Sequence, residues 1–170
     1  MSCFSNGKKK EEEFKQALSK ILEEKNINYT IEKTSFNDDV RKHIDFTLTC
    51  ENKKWSFDVK AKKKVNRDDK KAADDLNWIE LKNVRGCDGW LYGEATHIAF
   101  EINEGFMLVK RTDLINLIKE KCQDSTIYPS EQHKIKEIYK KYNRAGRKDV
   151  IILVPNSDLQ KIQEKFIPKV

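Results

Sequence analysis

The alternation in Arg41–Lys60, RKHIDFTLTCENKKWSFDVK, constrains the fold more than any other stretch of the chain. Apolar residues recur at every second position through Ile44, Phe46 and Leu48, and again through Trp55, Phe57 and Val59. A period of two belongs to strands with one buried face, because successive side chains point to opposite sides of a pleated sheet. The other face then carries His43, Asp45, Thr47 and Thr49, followed by Ser56, Asp58 and Lys60. Glu51-Asn52-Lys53 between the two runs is polar and turn-like, which predicts a β-hairpin. Paired residues must share a face, and two registers meet that condition. A two-residue turn at Glu51-Asn52 sets Asp45 opposite Asp58, and a four-residue turn sets Asp45 opposite Lys60. Either one gathers two carboxylates and an ammonium on one face of the hairpin.

Two neighbouring carboxylates repel unless a cation sits between them, and hard oxygen ligands suit Mg²⁺ or Mn²⁺. The carbonyl of Val59, between Asp58 and Lys60, offers a further ligand. A lysine beside them can orient or deprotonate an attacking water, or offset charge building on a phosphate. The plainer alternative is a solvated hairpin face with a surface ion pair, which contributes little stability.

Asp45 followed by Asp58-Val59-Lys60 resembles the PD-(D/E)XK nuclease superfamily, whose signature is an Asp and then Asp/Glu-X-Lys on the next strand. Ile44 stands where the family's proline would precede Asp45. The resemblance implies a restriction-endonuclease-like fold, a mixed β-sheet flanked by α-helices. It also implies metal-dependent hydrolysis of phosphodiester bonds in DNA. Asp45, Asp58 and the Val59 carbonyl would then hold Mg²⁺ (or Mn²⁺), and Lys60 would act on the water or the phosphate. In that superfamily a helix precedes the first strand, and a glutamate on it often joins the metal site. Glu13, next to Phe14 at the edge of an apolar stripe, is the candidate here; a solvated glutamate at a helix start is the alternative.

A second stretch, Asn77–Glu101, strengthens the resemblance. A glutamate-bearing strand, a glycine-punctuated G-C-D-G-W-L turn and a strand near A-T-H-I-A-F look like phage and viral branches of the superfamily, and like Holliday-junction-resolvase-like members. By that likeness Glu80 lies near the active centre; the alternative places it on an edge strand in solvent. Trp90 reads as core.

The net charge of +6 in 170 residues favours a polyanionic partner. The cluster Lys62, Lys63, Lys64, Arg67, Lys70 and Lys71 follows the motif directly and reads either as a solvated loop or as a phosphate clamp. Nucleic acid, DNA foremost, is the expected partner; a homodimer is admitted and a membrane is not. No apolar run approaches a membrane span, and Met1–Lys10 lacks the apolar centre of a signal peptide. Cys3, Cys50, Cys87 and Cys122 are scattered without C-x-x-C spacing, so reduced thiols and an intracellular setting are expected, cytoplasm or nucleus, or a viral factory for a viral protein.

The length predicts a single domain over residues 1–170. Helical spacing marks Lys8–Lys25, with Glu11–Glu13 in the first turns where the macrodipole favours negative charge. A strand is expected at Ile27–Glu32 and a loop at Thr34–Asp39. Strands follow at Trp78–Leu81, Ala95–Ile102 and Gly105–Lys110, and a helix runs from Thr112 or Asp113 to Lys121. Cys122–Pro129 reads as loop, Glu131–Tyr142 as helix, Asn143–Lys148 as a basic turn and Asp149–Val154 as a buried strand. A last helix starts at Asn156 or Ser157 and ends near Phe166. This order defines an α/β or α+β domain. There is no P-loop, no G-x-S-x-G and no H-E-x-x-H. Two other functions compete with the DNA nuclease: a nucleic-acid-binding protein on the same fold without turnover, and an RNA-processing endonuclease.

Overall fold

A computed structural model of the chain describes residues 3–66, 68–130 and 137–170. In chain order the elements are α1 (Cys3–Glu24), β1 (Thr30–Lys33), α2 (Phe36–Lys42), β2 (Phe46–Cys50) and β3 (Lys53–Lys60). Next come β4 (Leu76–Lys82), a short 3₁₀ turn (Trp90–Tyr92), β5 (His97–Glu101), β6 (Gly105–Lys110) and α3 (Arg111–Lys121). The chain closes with β7 (Ile127–Pro129), β8 (Lys141–Asn143), β9 (Val150–Pro155), α4 (Asn156–Lys161) and β10 (Gln163–Pro168). Two mixed sheets and four α-helices among the described residues make this an α+β protein. None of these helices is long and apolar enough to cross a membrane.

The chain divides into two compact units, each discontinuous in sequence. The first comprises Met1–Ala61, Glu94–Arg111 and Gln163–Val170. Its sheet has the order β1-β2-β3-β5-β6-β10, antiparallel throughout except for the parallel pair β3 and β5. The hairpin takes the tighter of the two expected registers, Phe46 opposite Phe57 and Cys50 opposite Lys53. Glu51 and Asn52 adopt φ of 47° and 64°, the pair of left-handed residues that a two-residue hairpin turn requires.

Phe46, Leu48 and Phe57 turn inward as the alternation predicts, onto Phe14, Ala17 and Leu18 of α1. The Phe14 ring lies 5.5 Å from Phe46, 5.6 Å from Phe57 and 5.1 Å from Phe106, a tilted and edge-on cluster that aromatic quadrupoles favour. Helix α1 begins at Cys3, earlier than expected, so Glu11–Glu13 sit mid-helix and gain nothing from the macrodipole. The stretch expected to loop at Thr34–Asp39 forms α2 instead. Ser35 precedes it, and its carbonyl accepts the Asp39 N–H at 2.9 Å. His43, at φ 54°, ends that helix in the left-handed conformation.

The final helix stops at Lys161, and Gln163–Pro168 becomes β10 beside β6. Pairing wins over helix here because Ile167 is fully buried from the strand and Glu164 reaches His97 Nε2 at 2.7 Å.

The second unit comprises Lys62–Gly93 and Thr112–Ile162. Its sheet runs β4-β9-β8-β7, with β7 and β8 parallel. The apolar run ahead of Pro155 is β9, buried from Val150 to Val154 as expected. Ile127–Pro129 and Lys141–Asn143 are short strands where loop and helix were expected. Residues 131–136 of that expected helix lie outside the described residues, and 137–140 are not helical. Trp90 is buried, as its core reading required.

Candidate functional site

The ladder of the hairpin begins at Phe46 and Phe57, and Asp45 stands just before it. The Asp45 N–H donates to the Phe57 carbonyl at 2.8 Å, one residue out of step with the ladder above it. That offset swings the Asp45 side chain along β3, where Oδ2 accepts the Val59 N–H at 2.6 Å. The N–H and C=O of one strand residue face the same neighbour, so the Val59 carbonyl lies on the Asp45 flank. Asp58 projects from the next position, its side chain 4% exposed, and its Oδ1 lies 2.6 Å from Lys60 Nζ.

Crowding of negative charge is the main electrostatic feature. Burial and then the Asp58 charge push the Asp45 carboxyl up to about 8, against the opposing pull of the Val59 N–H and of Lys60. At neutral pH without a cation, Asp45 therefore keeps its proton. Glu11 on α1 belongs to the same field. Burial raises its carboxyl above the ordinary range, Asp39 of α2 and Asp58 add to the rise, and Lys33, 3.9 Å away, opposes it.

Of the expected site residues, Asp45, just ahead of β2, comes together with Asp58, Val59 and Lys60 of β3 in one unit. Glu13 goes elsewhere: Lys10 Nζ lies 2.8 Å from it and 2.9 Å from the buried Glu101, which Lys169 also reaches at 3.0 Å. The helical glutamate nearest the carboxylates in electrostatic terms is Glu11. Its sequence signal was its spacing: Glu11 stands three residues before Phe14 and shares its helix face, whereas Glu13 is turned away by a neighbour's rotation. Asp39 was missed with its helix, although Ser35 followed by Asp38 and Asp39 is an N-terminal pattern.

Glu80 lies on β4 in the other unit, half-buried. Gly89 packs on its backbone so closely that a Cβ there would stand 2.3 Å from the Glu80 carbonyl oxygen. In the lysine-rich stretch, Lys62 pairs with Asp74, and the Lys63 and Lys64 carbonyls accept the Ala73 N–H and the Trp78 indole N–H at 3.0 Å each. Lys63, Lys64, Lys70 and Lys71 are exposed, and Arg67 lies outside the described residues.

No group of three His, Cys, Asp or Glu side chains able to hold a metal ion occurs among the described residues. The donors on offer are two carboxylates and a strand carbonyl. That all-oxygen set suits Mg²⁺, which retains several waters and commonly takes one or two carboxylates plus substrate phosphate. It does not suit zinc, which prefers nitrogen and sulfur in a closed tetrahedron.

The arrangement defines the protein at the level of its class: an α+β chain with two carboxylates and a lysine converging on a sheet hairpin. No family model, no curated protein and no solved structure matches the chain.

Proposed function

We propose that this protein is a Mg²⁺-dependent endonuclease that hydrolyses phosphodiester bonds, DNA foremost, on a restriction-endonuclease-like fold. One observation carries the reading: Asp45, at the entry to β2, and Asp58 of β3 crowd together with Lys60 beside them, a pair of carboxyl groups whose repulsion a divalent cation would relieve. Asp45, Asp58 and the Val59 carbonyl would hold that ion. Bound there, it supplies phosphate polarisation and a more acidic water.

The chain's own groups do the rest. Asp58 fixes Lys60, and the ammonium stabilises charge developing on the phosphate oxygens. Asp45 would release its proton to solvent water on holding that cation. Exposed Lys63, Lys64, Lys70 and Lys71 lend phosphate contacts, which raise affinity and make it salt-dependent.

A binding protein without turnover is the second reading, favoured by the Asp58–Lys60 pair, whose charges already offset one another. A cleavage panel separates the two. Linear duplex, single strand, four-way junction and RNA are incubated with Mg²⁺, Mn²⁺ or EDTA, using wild type and Asp58→Ala. The expected result is metal-dependent cleavage, lowered at least about a hundredfold in the variant while its circular dichroism is kept. A mobility shift in EDTA with no cleavage under any metal would establish the binding protein instead, and cleavage of RNA alone would move the substrate.

A further inference from the structure

The second unit carries a basic cavity that the hairpin chemistry does not use. It is a shallow, open pocket of about 430 Å³ lined by Lys82, Arg85, Gly86, Ile127, Asn143, Lys148, Asp149 and Val150. Three cations face it. Among the described residues, none of Lys82, Arg85 and Lys148 forms an ion pair, and all three are exposed. The carboxylate in the lining, Asp149, is fully buried and already neutralised, since Arg144 donates to it from both its side chain and its backbone N–H. The cavity therefore presents positive charge with nothing of its own to balance it.

Its walls are built rather than incidental. Asn83 Oδ1 accepts the N–H groups of Arg85 and Cys87 at 2.9 and 3.2 Å, which sets the loop that bears Arg85. Asn143 Nδ2 donates to the Arg147 carbonyl at 2.6 Å and sets the facing loop. The two loops join where the Lys148 N–H meets the Val84 carbonyl at 3.3 Å. A register shift between Glu80 and Lys82 on β4 re-aims Lys82 into the lining, the usual effect of a bulge. Gly86, at φ +85°, lies so close that a Cβ would stand 3.3 Å from Lys148 Cβ.

We infer that this cavity binds phosphate: Arg85 takes two oxygens by its planar fork, Lys82 and Lys148 supply point charges, and Ile127 and Val150 lie against the adjoining sugar. A phosphodiester of a nucleic-acid strand is the favoured source, a choice that rests on the nuclease reading; a free nucleotide is the other source of the same group.

The test uses the full chain in EDTA. Anisotropy of a labelled duplex oligonucleotide is followed across a salt series for wild type, the double variant Arg85→Gln with Lys148→Gln, and Gly86→Ala. The double variant should weaken binding about tenfold or more and flatten the log–log salt slope by about 0.9, because the one phosphate held in the cavity is no longer neutralised. Gly86→Ala keeps every charge but strains the loop and crowds Lys148, so it should weaken binding as well, with the fold checked by circular dichroism. Tight binding with an unchanged slope in both variants overturns the cavity and leaves the nuclease reading standing. If wild type binds no nucleic acid, that reading falls, and inorganic phosphate and a nucleoside monophosphate decide the cavity alone. Shifts of the Gly86 and Lys148 amide resonances, lost in the double variant, would support it with a free nucleotide as ligand, and their absence would overturn it.

Discussion

Replacing Asp45 by Asn tests the charge crowding directly. In the folded protein the Asp45 carboxyl is pushed up to about 8 from 3.8, first by burial and then by Asp58. A carboxyl with a raised folded pKa keeps its proton in the native state where the unfolded chain has released it. The resulting stability is fully present below about pH 4 and is lost as pH rises through about 8. At about 1.36 kcal/mol per unit the whole shift corresponds to about 6 kcal/mol, a ceiling, because water entry and small side-chain movements soften burial. Asn mimics the protonated acid: its carbonyl oxygen accepts the Val59 N–H and its amide faces Asp58 without adding charge. Urea denaturation of both proteins in EDTA from pH 5 to about 9.5 cancels the titration of shared groups. The variant's advantage should grow by about 1.4 kcal/mol per pH unit between pH 5 and 7 and level off above 8. A difference that stays constant across that range would refute the argument that Asp45 is protonated at neutral pH.

Lys60→Met should lower the saturated single-turnover cleavage rate by about a hundredfold while leaving affinity in Ca²⁺ nearly unchanged; equal losses in rate and affinity would make Lys60 one part of a basic patch. Phe14→Ala removes the ring that meets Phe46, Phe57 and Phe106, and should cost about 3–5 kcal/mol by urea titration. Gly89→Ala places a methyl group 2.3 Å from the Glu80 carbonyl oxygen, so the backbone must move and the melting temperature should fall by an amount equivalent to about 1–3 kcal/mol. A wild-type melting curve would mean that the turn at Gly89 shifts without cost.

The alternation of Arg41–Lys60 was enough to read the hairpin and its inward residues Phe46, Leu48 and Phe57. Burial of one face makes side-chain parity a local property. Parity left two turn lengths open, and the left-handed pair Glu51-Asn52 chose between them. It could not reveal the one-residue offset that brings Asp45 to the Val59 N–H, because that offset exists only once the two strands are hydrogen-bonded. Face arithmetic from Phe14 could have found Glu11, yet the diversion of Glu13 to Lys10 depended on Glu101, a residue of the distant strand β5. The same limit governs the larger errors. Gln163–Pro168 has apolar residues compatible with a helix turn or a strand, and the free edge of β6 decided for the strand. The parallel pairing of β3 with β5, separated by a whole segment of the second unit, left no mark in either sequence. Periodicity records which face of a segment is buried; it does not record which other segment satisfies the backbone N–H and C=O groups, and only the folded chain supplies that partner.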